Sequence, residues 1–182
     1  MDILQLKIID LLPVHIFEWK SALRKNIFSY LILYILLFLS SYHPFTYIVM
    51  LLLVLSSFIE IYKYLEPKEL YISYFQKFSL IEKYKISLKV FNVIIIPPFI
   101  LFGFINTLYS EFLLLFFPVN LFILEIISRK YKNYSDNRRI IEFNPVLLII
   151  LLIKSILIVP SLYSIRNNTQ IANKKISVYV SN

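Results

Sequence analysis

Residues 26–62 read NIFSYLILYILLFLSSYHPFTYIVMLLLVLSSFIEIY, and the architecture of the chain is clearest here. The stretch holds two apolar runs, Asn26 to Tyr42 and Pro44 to Tyr62, with Glu60 as their only carboxylate and no Lys or Arg. A helix needs roughly 20 mainly apolar residues to cross about 30 Å of hydrocarbon, so each run is a predicted membrane span. The link Ser40 to Pro44 is too short for anything but a tight turn. A proline disfavours helical backbone at the residue before it, so His43-Pro44 marks that turn. The two spans are therefore antiparallel neighbours, a helical hairpin over 26–62. Further along, Val90 to Leu108 and Phe112 to Ser128 repeat the arrangement around the turn Asn106 to Glu111, giving a second hairpin over 90–128. A fifth run, Pro145 to Tyr163, is as long but carries Lys154 at its centre.

Composition agrees. Of 182 residues, 59% are hydrophobic, 17% aromatic and only 16% charged, more apolar than soluble domains, and the charges gather in blocks between apolar runs. The expectation is an all-α integral membrane protein, a single membrane domain over 1–182 with about five spans. The abundance of Ile, Phe, Tyr, Lys and Asn beside little Ala and Gly has the look of an AT-rich genome, so the net charge of +8 is weighed by location. Lys7, Lys20, Arg24 and Lys25 precede the first span; Lys63, Lys68, Lys77, Lys83, Lys85 and Lys89 fill the link 63–89; Arg129, Lys130, Lys132, Arg138 and Arg139 lie in the link 129–144. The turns between paired spans have no Lys or Arg. The positive-inside rule then places the N-terminus and both basic links in the cytoplasm. Five spans would leave Arg166, Lys174 and Lys175 of the polar tail 164–182 outside. A re-entrant hairpin breaking near Lys154 or Pro160 would return them, but a single final span over 145–163 is the favoured expectation.

Residues 1–25 are too interrupted by Asp2, Lys7, Asp10 and Glu18 to cross, and they lack the basic start and small-residue cleavage site of a secretory signal. Their Leu, Ile, Phe and Trp19 suit an interfacial amphipathic helix, with Phe17-Glu18-Trp19-Lys20 at headgroup level. In the link 63–89, Glu66-Pro67 is a helix start, since proline is preset for the first helical position. Ser79-Leu80-Ile81-Glu82 has capping-box spacing, in which hydroxyl and carboxylate satisfy backbone donors reciprocally. The helix begun there runs through Lys89 into the third span. Two readings follow: a wet connector whose charges set topology, or a partner-docking element carried by Pro67, Ser79, Glu82, Lys83, Lys85 and Lys89.

Ionisable groups within spans are costly and are functional candidates unless they snorkel or pair. Glu60 and Glu125 lie near the cytoplasmic ends of spans, and Glu111 at an outer turn. Lys154 is central, costing about 2.5 to 3.5 kcal/mol on the insertion scale. Glu125 is its expected partner, because both lie in the cytoplasmic halves of neighbouring antiparallel spans. Asn92, Asn106 and Asn120 read as interhelical packing amides, and Pro97-Pro98 and Pro118 as kinks or loosened turns. One Gly, no Cys and two His leave no Walker A loop, thiolate site, H-E-x-x-H or G-x-S-x-G sequence. No catalytic, metal or cofactor-binding residue is expected. His15 and His43 fall on opposite sides of the membrane, and the basic residues flank spans rather than form a phosphate-tracking stripe, so nucleic acid is not an expected partner. A lipid-acting enzyme would have only Glu60 and Glu125 to use.

The order of elements resembles the membrane subunits of type-2 ABC exporters: an interfacial helix, a hairpin, a basic link restarting at a serine cap, a second hairpin and a final span. Glu66-Pro67-Lys68-Glu69-Leu70 and Phe78-Ser79-Leu80-Ile81-Glu82-Lys83 through Lys89 stand where that family carries the helix abutting its ATPase. The layout and the tail Ile165 to Val180 also look like those of small bacterial membrane proteins. The resemblance implies a permease-like transport subunit of a bacterial inner membrane, acting as a homodimer or with a second membrane subunit, and a separate ATPase partner docked on the basic link. It is mostly one of order and hydropathy. The family has six spans and small residues at helix contacts, and this chain has neither. The alternative is an accessory subunit of a larger membrane complex, with no transport of its own.

Overall fold

The computed structural model describes residues 16–135 and 145–181, and the regular structure among them is helical. Chain order is α1 (Phe17–Ser40), α2 (Pro44–Tyr62), α3 (Lys68–Phe75), α4 (Leu80–Ile105), a 3₁₀ segment (Thr107–Leu115), α5 (Phe116–Lys132), α6 (Pro145–Ile156) and α7 (Val159–Ser181). Among the described residues, four helical stretches are long and apolar enough to cross a membrane: Phe17–Ser40, Pro44–Tyr62, Leu80–Ile105 and Thr107–Lys132. The chain falls into two compact units. One comprises residues up to Ile61 with Lys89–Phe116; the other comprises Tyr62–Leu88 with Phe117 onward. The expectations resting on Lys7, His15, Arg138 and Arg139, and most of the proposed interfacial helix, lie outside the described residues.

In the first unit, α1 begins at Phe17, nine residues before the expected span, and breaks at Asn26, whose φ of −149° and ψ of 48° are not helical. The charged segment and the apolar run are thus one interrupted helix. The turn after α1 is built from short polar side chains. Ser40 and Ser41 donate to the Leu37 carbonyl at 2.7 and 3.2 Å, and the Thr46 hydroxyl donates back to the His43 and Ser40 carbonyls. The second turn is joined to the first by Asn106, whose Nδ2 donates to the Ser41 carbonyl at 2.6 Å. That amide ties two loops together; it does not pack between helices. The interior is aromatic. Trp19 meets Phe58 edge-on at 5.1 Å, Phe58 meets Phe91 at 4.7 Å, and Tyr47 stacks on Phe102 at 4.5 Å. α4 continues through Pro97-Pro98.

In the second unit, Pro118 is the third residue of α5, which follows directly on the 3₁₀ segment. The fifth apolar run differs from the favoured expectation. It is not one straight span: α6 stops at Ile156, α7 starts at Val159, and the pair is bent by 115°. The cause lies in the sequence. Pro160 offers no N–H to the Ile156 carbonyl and its ring would clash there, which disfavours a continuous helix at this point. The turn is closed through Ile158, whose φ is +54°, a strained conformation for a β-branched residue that persists only where surrounding contacts impose it. The polar tail forms most of α7 and packs within this unit. Asn168 donates to Ser128 Oγ at 3.2 Å, and Lys175 Nζ to the Tyr134 carbonyl at 3.1 Å.

Candidate functional site: two buried carboxylates

Two carboxylates gather the buried charge of the second unit. Glu66 lies between α2 and α3 and is 8% exposed. Lys130 Nζ is 2.9 Å from its Oε2, Lys83 Nζ is 3.7 Å from its Oε1, and the Tyr131 hydroxyl donates to Oε1 at 2.8 Å. The Tyr134 hydroxyl donates to the Glu66 carbonyl at 3.2 Å. Rings complete the shell: Tyr74 lies 5.0 Å from Lys83 Nζ, and Tyr131 lies 5.4 Å from Lys130 Nζ. Both ammonium groups are taken from water, at 2% exposure for Lys83 and 0% for Lys130. Buried charges are tolerated only when compensated, and one loop carboxylate here is the ion-pair partner of lysines on α4 and α5.

Glu125, on α5, is fully buried. Arg129, one turn later, brings a guanidinium nitrogen to 3.6 Å of its Oε1, and Lys154 on α6 brings Nζ to 3.9 Å of the same oxygen. The Ser161 hydroxyl on α7 donates to Oε2 at 3.1 Å. Lys154 and Ser161 stand on either side of the strained Ile158 turn, so one carboxylate holds both arms of the bend.

The structure thus brings together Glu125 and Lys154, the pair drawn from opposite charge in neighbouring spans. Of the six residues of the proposed docking element, five are exposed and Lys83 is buried. The capping box forms: Ser79 N–H donates to Glu82 Oε2 at 2.6 Å, and Glu82 N–H donates to Ser79 Oγ at 3.3 Å. Pro67 is the N-cap of α3. Pro67, Ser79, Glu82, Lys85 and Lys89 are exposed, but Lys83 faces inward. The outward face at the start of α4 therefore consists of Ile81, Glu82, Lys85 and Lys89. Sequence reasoning misses Glu66 and Lys130 as partners. In the sequence Glu66 stands as a helix start and Lys130 as a topology charge, and no spacing joins residues so far apart. Glu60 and Glu111 are exposed.

Among the described residues, no group of three or more His, Cys, Asp or Glu side chains is placed to hold a metal. Each carboxylate has two cations and a hydroxyl around it, an arrangement suited to fixing helices. Comparison with protein-family models, curated proteins and solved structures finds no match to this chain.

Proposed function

We propose that this chain is a polytopic, non-catalytic membrane subunit that works by associating with other membrane chains, seated in a bacterial inner membrane with its N-terminus in the cytoplasm. The observation that carries the reading is the state of α1. Only 11% of its most apolar stretch is buried within the chain, against 44% for α2, and Phe28, Ile32, Ile35 and Leu39 are each more than half exposed. A helix so little used by its own chain offers its length to other membrane helices. The ionic clusters of the second unit act as internal fasteners in this reading, and the accessory-subunit role follows from it.

A second reading, as the membrane subunit of an exporter, is favoured by a separate observation. Lys85 and Lys89 lie four residues apart on the exposed face of a capped helix that continues without interruption into an apolar span. An ATPase docked there would move a rigid rod. A mild-detergent pull-down of the tagged chain, with mass spectrometry of stoichiometric partners, separates the two. Lys85→Glu with Lys89→Glu should release a co-eluting ATPase under the exporter reading and leave membrane partners untouched under the accessory one. Lys83 is left out of that test, because reversing it would break the Glu66 cluster. Elution of the chain alone would defeat both readings.

A further inference from the structure

We infer that α6 and α7 form a re-entrant hairpin: the pair enters and leaves the bilayer on one face, the tail lies with the two basic links, and the turn between the helices rests among the acyl chains of that leaflet. The contacts of the tail give the face. The Thr169 hydroxyl lies 3.0 Å from the Tyr84 hydroxyl, and Lys175 Nζ donates to the Tyr134 carbonyl at 3.1 Å. The Tyr179 ring lies 5.7 Å from Tyr71 and 5.6 Å from Tyr134. Tyr71 and Tyr84 belong to the link 63–89, before the apolar run that begins at Val90, and Tyr134 belongs to the link 129–144. Two spanning stretches lie between these links, so both links stand on one face and α7 stands with them. Arg166, Lys174 and Lys175 then share the face of the other basic residues, as the positive-inside rule asks.

Length and depth agree. α6 has 12 residues, about 18 Å of helix, short of the roughly 30 Å of hydrocarbon. Lys154 of α6 and Ser161 of α7 both reach Glu125, which precedes the end of α5 at Lys132 by about 10 Å of helix axis. The turn between them therefore lies in the half of the bilayer nearest the links. Its chemistry suits hydrocarbon. The hydroxyls face inward: Ser155 and Ser161 are 1% and 0% exposed and donate to the Leu152 carbonyl and to Glu125. The apolar side chains face outward: Ile156, Leu157, Val159, Leu162 and Tyr163 are each more than half exposed, and no charged residue stands between Lys154 and Arg166. A loop in water has the reverse arrangement. Hydrocarbon also requires that backbone donors find partners within the protein. The N–H groups of Leu157, Ile158 and Val159 donate to the Ile153, Ser155 and Leu157 carbonyls at 3.1, 3.3 and 2.6 Å, and Pro160 has none to place. Acyl chains are the occupant because the turn sits at the level of Glu125, inside a spanning stretch, where they are the surrounding medium.

The chain has no cysteine, so single cysteines at exposed positions report their side of the membrane without background. Full-length Ser181→Cys in the tail, Lys77→Cys in the link and Tyr42→Cys in the first turn are treated with a membrane-impermeant maleimide, in spheroplasts and in inverted vesicles. The tail and the link should react from one face and the turn from the other. Asn173→Cys serves as a second tail site should Ser181→Cys not accumulate. A tail that reacts from the face of Tyr42 would overturn the inference. The inference does not rest on the subunit reading: link and tail both reacting in spheroplasts would invert the orientation proposed above and leave the hairpin standing. Depth is read by a nitroxide on Val159→Cys in reconstituted vesicles, with Leu157→Cys as the second site. Oxygen dissolved in the bilayer should relax it strongly and a water-soluble nickel chelate weakly, with the opposite pattern at Ser181→Cys. Relaxation by nickel at the turn would place it in water, and shielding from both reagents would place another protein segment over it. Either result would overturn the lipid contact.

Discussion

The two units solve the interior differently. The first is filled with rings and aliphatic chains: Trp19, Phe58 and Phe91 form one aromatic run, and Tyr47, Phe99 and Phe102 another. The second hides Glu66, Lys83, Glu125 and Lys130 at 8% exposure or less. Apolar packing is tolerant of detail, because a swap that keeps volume keeps most of the contacts. A buried charge cluster is intolerant, since removing one partner leaves the others without compensation in a medium that does not solvate them. Pairing therefore weighs more in the second unit, with four such side chains, than in the first, whose described residues bury one charged side chain, Glu18.

The steepest loss should fall on the Glu66 cluster. Glu66→Gln is nearly isosteric, yet it should destabilise the protein by about 3–5 kcal/mol, the cost of breaking a buried pair from one side. Ile95→Leu, at a fully buried site of the first unit, should cost less than about 1.5 kcal/mol. Reversible unfolding in one detergent, followed by circular dichroism, gives both numbers. Equal costs would erase the distinction between shape and pairing.

At the bend between α6 and α7 the expected losses are smaller. Glu125→Gln should cost about 3 kcal/mol, and Lys154→Met less, because the Lys154 side chain is 32% exposed and its ammonium can reach water. The double variant should then be sub-additive, with a coupling of about 0.5–3 kcal/mol. A distance measurement adds a structural readout. Spin labels at Ile149 and Arg166 would be about 25 Å apart on a straight helix, and the 115° bend holds them closer. Glu125→Gln should broaden the measured distances toward the straight value. An unchanged narrow distribution would mean that the Ile158 turn is fixed by Pro160 alone.

Legibility in the sequence follows the same division. Hydropathy reaches the helices of both units, because an apolar run announces its length and a turn announces itself through His43-Pro44 or Asn106. The break at Asn26 is visible as a polar residue where charge gives way to apolar sequence, although it suggests a start and is an interruption. The break before Val159 is legible in Pro160, but the apolar run outweighs it. Pairing is legible only where chemistry leaves one choice. Lys154 stands among Leu and Ile, and Glu125 is the acid within a neighbouring span. Lys83 and Lys130 have an easier explanation in topology, and Glu66 a better one as a helix start, so nothing local joins them.

A near-neutral substitution probes the tolerance claimed for the first unit. Gly103 is the one glycine, and a Cβ there would lie 3.1 Å from Leu113 Cδ1 and 3.3 Å from Cδ2. Two terms oppose each other in Gly103→Ala. The helix gains about 1 kcal/mol because alanine loses less backbone freedom than glycine, and the Leu113 side chain must give by a few tenths of an ångström. Leu113 is 38% exposed, and what crowds the new methyl is the far end of a flexible side chain, so rotation relieves most of the contact. The net should fall within about 0.5 kcal/mol of zero, as for a substitution away from special features. The same unfolding measurement reads it. A loss above about 2 kcal/mol, the range of an overpacked core, would show that Leu113 cannot turn and that the close approach of α4 to the Thr107–Leu115 segment is specified by shape as strictly as the second unit is specified by charge. Tolerance would then belong to the interior positions of the first unit and not to its second turn, and the contrast would have to be redrawn residue by residue.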